Sequence, residues 1–328
     1  MDEIRTKDVK NSVSTILAKY WLLLFTVFVG FAFAIIEPRF AQPGNIRDVL
    51  SNMVVYGIAS LGVMLVMITG EIDFACGTEV SLAACIIGRL LDSSTFNSYF
   101  LALIITLAIM ALIGAINGFL HVKIGIPGFI ATLGTSLLIM GIAKLLTKSN
   151  RIFSTKWPSD FTFLGQGEVF GFPASVICFI VVSILALLYT EYSKHGKRLY
   201  AVGSNSQACK YIGISSGKEK MKSFILCSVL CGFAGVIQGS MLNTATPFLG
   251  DLTLLNVLTM LMLGATFYRL GSFNVFGTII GAILVNIINN GMVMIGATTW
   301  QKYAIQGLIM LIAVTVITLI RYRETRKN

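Results

Sequence analysis

Glu71, Asp73 and Glu79 fall within nine residues of the stretch GEIDFACGTE (70–79), in a chain with only fifteen Asp and Glu. Carboxyl groups at that spacing can cap a helix, hold a cation, relay protons or gate a passage. The apolar runs LGVMLVMI before and VSLAACII after place them between hydrophobic walls. A carboxylate at membrane depth costs ~2.5–3.5 kcal/mol on insertion scales, so Glu71 and Asp73 must sit at an interface or be buried against protein donors. Gly70 and Gly77 let the chain leave one helix and start another, whose free N–H groups can accept Asp73 as a cap. Three readings stay open: an acidic interfacial turn with a helix cap, a coupling or gating turn built on Gly70, Asp73 and Gly77, and a proton relay or cation site.

Other groups able to do chemistry are sparse. The six cysteines, Cys76, Cys85, Cys178, Cys209, Cys227 and Cys231, contain no C-x-x-C pair. Cys227 and Cys231 share a helix face but have no His or further Cys near them in sequence, so they read as small buried hydrophobes. No metal, disulfide or cofactor is assigned. His121 and His195 stand at the ends of apolar runs and read as interfacial loop residues. Among the amides Asn52, Asn117, Gln238, Asn243, Asn256, Asn286, Asn289 and Asn290, helix-packing hydrogen bonds are the simplest role. Asn117, Asn256, Asn286 and Asn290 also suit a path for a neutral, hydroxyl-rich solute. The segment GISSGKE has one residue too few between its glycines for a phosphate loop, and Glu219 stands where a Mg²⁺-binding hydroxyl would be. With no convergent nucleophile, acid or metal set, the chain is not expected to be an enzyme.

The elements that must position these groups are membrane helices. Hydrophobic residues make up 55% of 328, charged residues 12%, and the mean hydropathy is +0.82. Windows of about 19 residues predict spans near 20–36, 46–69, 74–91, 99–121, 127–147, 173–190, 223–243, 253–268, 274–295 and 302–320. The fold class is therefore all-α: a polytopic membrane protein of about ten transmembrane helices, forming one integral membrane unit over 1–328. The third, eighth and ninth spans are short or Gly-interrupted, and half-helices or re-entrant pieces are possible there. Gly114/Gly118, Gly235/Gly239 and Gly277/Gly281 read as close helix crossings.

The acidic, polar start is unlike a cleavable signal, so the first span is expected to be retained. An even count puts both termini on one side, and seventeen of the twenty-five Lys and Arg fall on that side. This predicts a cytoplasmic N-terminus (1–19), a cytoplasmic loop (191–222) and an external segment (149–172) folded as a small cap. Lys144, Lys148, Arg151 and Lys156 run against the rule. The net charge of +10 reflects this topology and anionic lipid, and implies no nucleic acid.

The 191–222 loop carries buried-type residues, Leu199, Tyr200, Ala201, Val202, Tyr211 and Ile212, and a helical stretch from Ser206 to Ile212 closed by Gly213. A short helix held against a partner explains them. With GEIDFACG, NGFLHVKIGIPGFIATLGT, GKRLYAVGSNSQACKYIGIS and LGATFYRLGSFNVFGTIIGA in this order, the chain resembles the permease subunits of bacterial ribose/xylose-type sugar importers of the ATP-binding-cassette class, with branched-chain amino acid permeases as more distant relatives. The resemblance implies a multi-pass protein of the bacterial inner membrane that moves a sugar or sugar-like solute. Its implied partners are a cytoplasmic ATPase subunit, an external solute-binding protein and a second permease, identical or paralogous. It also implies that Asn205, Ala208, Tyr211 and Gly213 dock on the ATPase. The chain departs from the family where Glu71 replaces a second glycine, and at Ala265, Tyr268 and Arg269. The alternative is an ion-coupled secondary transporter complete in one chain. That would need ionisable groups on several helices, whereas apart from the 71–79 cluster and Asp251 the acids lie at span ends or in loops.

Overall fold

The computed structural model describes residues 20–92, 98–154 and 157–325. The expected cytoplasmic N-terminus with Arg5, Lys7, Lys10 and Lys19, and also Lys156, lie outside the described residues. The elements run α1 (Tyr20–Ile36), α2 (Pro43–Ile68), α3 (Cys76–Asp92), α4 (Tyr99–Phe119, extended by a π turn Leu120–Ile124) and α5 (Gly128–Thr147). Then come β1 (Ile152–Phe153), α6 (Ser159–Gln166), the hairpin β2 (Glu168–Val169) and β3 (Phe172–Pro173), and α7 (Ala174–Leu187, extended by a π turn Leu188–Tyr192). The chain closes with α8 (Lys194–Ser204), α9 (Ser206–Tyr211), α10 (Ser216–Leu242), β4 (Thr244–Ala245), α11 (Thr253–Gly264), α12 (Val275–Met294) and α13 (Thr299–Thr325).

Helices stand at all ten expected spans, and six of those described, α2, α4, α5, α7, α10 and α12, are long and apolar enough to cross a membrane. Two boundaries and one additional helix differ from expectation. Helix α10 starts at Ser216 rather than near 223, because its first turns carry Lys218, Glu219, Lys220 and Lys222 and escape a hydropathy window. Helix α8 was not anticipated, being polar on most of its surface. Helix α11 stops at Gly264 rather than near 268, and Tyr268 takes a left-handed conformation (φ 62°) in the turn that follows.

Two compact units divide the chain: Leu50–Val257, and the N-terminal part to Val49 with Leu258–Asn328. In the first unit α10 is the axis. Gly114 of α4 faces the backbone at Phe224 and Ile225, and Gly235 lets α10 meet the backbone of α3 at Val80, so side-chain-free surfaces allow the close crossings that apolar helices use in lipid. Only about a quarter of the residues in the apolar stretches of α4 with its π turn and of α5 are buried, 22% and 28%, leaving broad apolar faces for lipid. The described residues of 149–172 fold as β1, α6 and the β2–β3 hairpin; Trp157 and Phe161 pack edge to face at 5.2 Å, and the backbone N–H of Gly165 donates to Ser240 Oγ of α10 at 2.8 Å.

The chain after α10 is broken, as the short eighth span suggested. Strand β4 pairs with β1, Ala245 opposite Ile152, and Ala245 lies beside Gly88 and Trp157 near the end of α3. Five residues later Gly250 rests on Gly77, at the start of α3, and its N–H donates to Ser81 Oγ at 2.8 Å. Gly88 and Gly77 are separated by roughly 16 Å of helix at 1.5 Å per residue, so 245–250 runs alongside α3 as irregular backbone. Thr244, Ala245, Pro247 and Gly250 are buried there, so part of this backbone is sheltered by protein, whereas Phe248 is exposed. Helix α11 begins where this descent ends, and at twelve residues it is a half-helix.

In the second unit Gly264 abuts Gly277 and Gly281 meets Met260, which joins α11 closely to α12. Asn274 caps α12 by accepting from the Gly277 N–H at 2.8 Å. Aromatic contacts hold α1 in this unit: Tyr20 meets Phe267 edge on at 5.7 Å, and Phe33 stacks on Phe40.

Candidate functional site

The acidic turn begins where Gly70, in a left-handed conformation (φ 87°), ends α2. Only a residue without Cβ takes that geometry freely. Glu71 points to one end of the bundle and Asp73 to its interior. The Glu71 Oε1 receives hydrogen bonds from Lys220 Nζ at 2.7 Å and His121 Nε2 at 3.1 Å, and the three side chains are 15–19% exposed. His121 Nδ1 lies 2.9 Å from the Ile126 carbonyl. Nε2 faces the Glu71 carboxylate and, at 3.5 Å, the Lys220 ammonium, while Nδ1 donates to the Ile126 carbonyl. Burial pushes the Glu71 carboxyl up, but the hydrogen bonds and charges of His121 and Lys220 outweigh it and hold the group at about 2. Glu71 is thus ionised at every physiological pH, tying the turn to the ends of α4 and α10.

Asp73 is fully buried. Its Oδ1 accepts from the Ala75 N–H at 2.8 Å, so it bridges the turn just ahead of α3. The helix starts at Cys76, not near Phe74, and Asp73 does not occupy the cap position itself. The Phe74 N–H donates to Thr132 Oγ1 of α5 at 3.0 Å, which satisfies a donor the turn would otherwise leave buried. Gly77, one residue into α3, supplies the flat surface on which Gly250 lies.

The 191–222 loop is mostly structured. Leu199 and Val202 are buried by the chain itself, whereas Tyr211 and Ile212 are 89% and 71% exposed. Two of the four expected docking residues shape α9: Asn205 caps it, accepting from the Ala208 N–H at 2.9 Å, and Gly213 (φ 75°) ends it. Ala208 and Tyr211 lie on its exposed surface. Glu219, nearly buried in the first turn of α10, faces His195 Nδ1 at 3.4 Å, Arg198 at 3.8 Å and Lys222 at 3.4 Å, and so clamps α8 onto α10. At its other end α8 lays Gly203 on the Ile68 carbonyl, with the Thr69 backbone beside it; a Cβ there would overlap that oxygen. One rigid element therefore holds the last turn of α2 and the first of α10, which carry the two sides of the Glu71–Lys220 pair.

The amides divide. Asn117 accepts from Thr135 Oγ1 at 2.7 Å in the α4–α5 packing, with its NH₂ buried and unpaired. Asn256 and Asn286 are buried and donate to carbonyls of their own helices, Leu252 and Ala282, both at 3.0 Å. Asn290 is half-buried, with its carbonyl oxygen unpartnered. Sequence reasoning passed over Lys220 and the role of His121, and it missed what stands beside Cys227 and Cys231. Glu79 and Asp73 are there, brought by the fold from about 150 residues away.

The family model described as "Branched-chain amino acid transport system / permease component" matches residues 45–314. The ribose import permease protein RbsC of Bacillus subtilis (strain 168) is 27% identical over 95% of this chain and 97% of its own length. The galactose/methyl galactoside import permease protein MglC of Escherichia coli (strain K12) is 29% identical over 85% of this chain and 88% of its own. The D-allose transport system permease protein AlsC of the same strain is 25% identical, with 92% of both chains covered. No solved structure matches significantly. The match runs from the first turn of α2 to the middle of α13 and takes in both the acidic turn and the 191–222 loop. The chain therefore belongs to the branched-chain amino acid transport system permease family, as the multi-pass, non-catalytic membrane component of an ATP-binding-cassette transporter.

Proposed function

We propose that this chain carries a sugar or sugar-like solute inward across the bacterial inner membrane, with ATP hydrolysed by a separate cytoplasmic subunit. The observation that carries the mechanism is the exposed Tyr211–Ile212 tip on a loop whose rigid helix α8 grips both α2 and α10. A large apolar surface on a charged loop suits insertion into a cleft of a partner. Movement of that partner would be delivered through α8 to Ile68 and Glu219, at opposite sides of the Glu71–Lys220 contact. The turn Gly70–Asp73–Gly77 would convert this into displacement of α3. Relatives named for ribose, galactose and allose support a neutral, polyhydroxylated solute.

This reading places both termini and the 191–222 loop in the cytoplasm and the 149–172 cap outside, where a solute-binding protein would deliver its cargo. A second permease, identical or paralogous, completes the pathway. In membranes holding the complete transporter, Tyr211→Asp should abolish uptake and release of the ATPase on washing should rise, while the level of inserted permease is unchanged. Normal uptake together with normal ATPase retention would overturn the docking role.

A further inference from the structure

Asp73, Glu79, Cys227 and Cys231 converge inside the Leu50–Val257 unit, and none of them exposes surface. Cys227 and Cys231 stand one turn apart on α10 and point the same way. Glu79 comes from the first turn of α3 and Asp73 from the turn that leads into it. A Glu79 carboxyl oxygen and the two sulfurs all lie within 4.8 Å of one another; Asp73 stands outside that group of three and faces Cys227 alone. Glu79 Oε1 accepts from Ser228 Oγ at 2.6 Å, but Glu79 Oε2 and Asp73 Oδ2 have no hydrogen-bond partner. Among the described residues neither acid forms an ion pair. Four groups able to ligate a metal, with two lone-pair-bearing oxygens left over, are costly to bury as packing alone.

We propose that Asp73, Glu79, Cys227 and Cys231 form a closed structural site for one divalent cation of the zinc type. Two sulfur and two oxygen donors on two packed helices suit a tetrahedral, borderline-soft ion, whereas Mg²⁺ and Ca²⁺ require six or more oxygens. Thiolates on a common zinc, with Zn–S near 2.3 Å, sit about 3.8 Å apart, so sulfurs inside the observed limit need little movement. Zinc is held by thiolate and carboxylate, so the protons of both thiols, and any on the two carboxyl groups, leave to solvent as the cation enters. All four positions come from protein. The ion would therefore fasten the start of α3, and with it the acidic turn, to the middle of α10, and would take no part in handling solute.

The test uses full-length protein from zinc-sufficient cells, purified in detergent with chelator washes and assayed for metal by mass spectrometry. One equivalent of zinc per chain is expected. It should fall to background in Cys231→Ser and in Glu79→Gln, and persist in Cys85→Ser and Cys178→Ser, whose cysteines lie outside the cluster. Wild-type protein from cobalt-grown cells should show thiolate-to-cobalt charge-transfer absorption, and this needs no variant to fold. Metal-free wild type, zinc retained by the Cys231 and Glu79 variants, or cobalt bound without thiolate absorption would each overturn the site.

Discussion

Lys220→Met is the most informative single change, because it removes one side of a mostly buried ion pair and leaves the other in place. The Glu71 carboxyl is held at about 2 against an ordinary 4.5, which corresponds to about 3 kcal/mol at ~1.36 kcal/mol per pKa unit. That figure covers His121 as well as Lys220, so the lysine alone is expected to account for roughly 1–2 kcal/mol at pH 7, less than the 3–5 seen when fully buried pairs are broken. The folded-state value lies below the unfolded one. The contribution is therefore complete above about pH 4.5 and is lost only as pH falls toward 2. Neutral-pH assays thus read all of it. Four proteins are needed: wild type, Glu71→Gln, Lys220→Met and the double variant, each unfolded reversibly in mixed micelles. The single variants should each be destabilised, and the double variant should be more stable than the sum predicts by ~1 kcal/mol or more. Additivity within ~0.3 kcal/mol would show that the pair contributes nothing and that the 2.7 Å contact is incidental.

Gly203→Ala places a methyl on the Ile68 carbonyl, and overpacking of this kind costs ~1–3 kcal/mol; solute uptake should fall more than ATPase activity, and equal retention of both would separate α8 from coupling. Asp73→Ala removes the acceptor for the buried Ala75 N–H and should cost ~1–3 kcal/mol, whereas Asp73→Asn keeps an oxygen there and should be milder on the same unfolding assay. Single cysteines at Ser204 and Ser159, both exposed, should label from opposite faces of intact cells; labelling from one face would reverse the proposed topology. The purified chain alone should show no ATP turnover above a boiled control.

Hydropathy located the helices at the ten expected spans because each is a continuous apolar run, and Gly70 and Gly213 announced turns by backbone freedom alone. The weakness of the eighth span was legible too, since the apolar run at 253–268 is short for a full crossing, although its stop at Gly264 was not. The ends with polar first turns were not. Ser216–Lys222 reads as loop until Glu219 is seen holding His195 and Arg198. Contacts between distant residues escaped for a different reason. Glu71 finds His121 fifty positions on and Lys220 a hundred further, and no local pattern encodes that distance. Cys227 and Cys231 were weighed with their sequence neighbours only, so the two acids that face them went unseen. Leu199 and Val202 suggested a partner that turned out to be the chain itself, which leaves Tyr211 and Ile212 as the surface still to be covered.

The descent of 245–250 along α3 also constrains how the protein is made. A twelve-residue α11 falls short of the ~17–25 residues that partition into a bilayer unaided, so it has no independent means of entering the membrane as it leaves the ribosome. Its start is held by Gly77, Ser81 and the β1 strand, all synthesised well before it. Insertion of this segment must wait until α3, the 149–172 cap and α10 have assembled into a preformed slot. Destabilising that slot at Gly77 or Ser81 would then appear first as misinserted, protease-sensitive chains, before any defect in transport by those that mature.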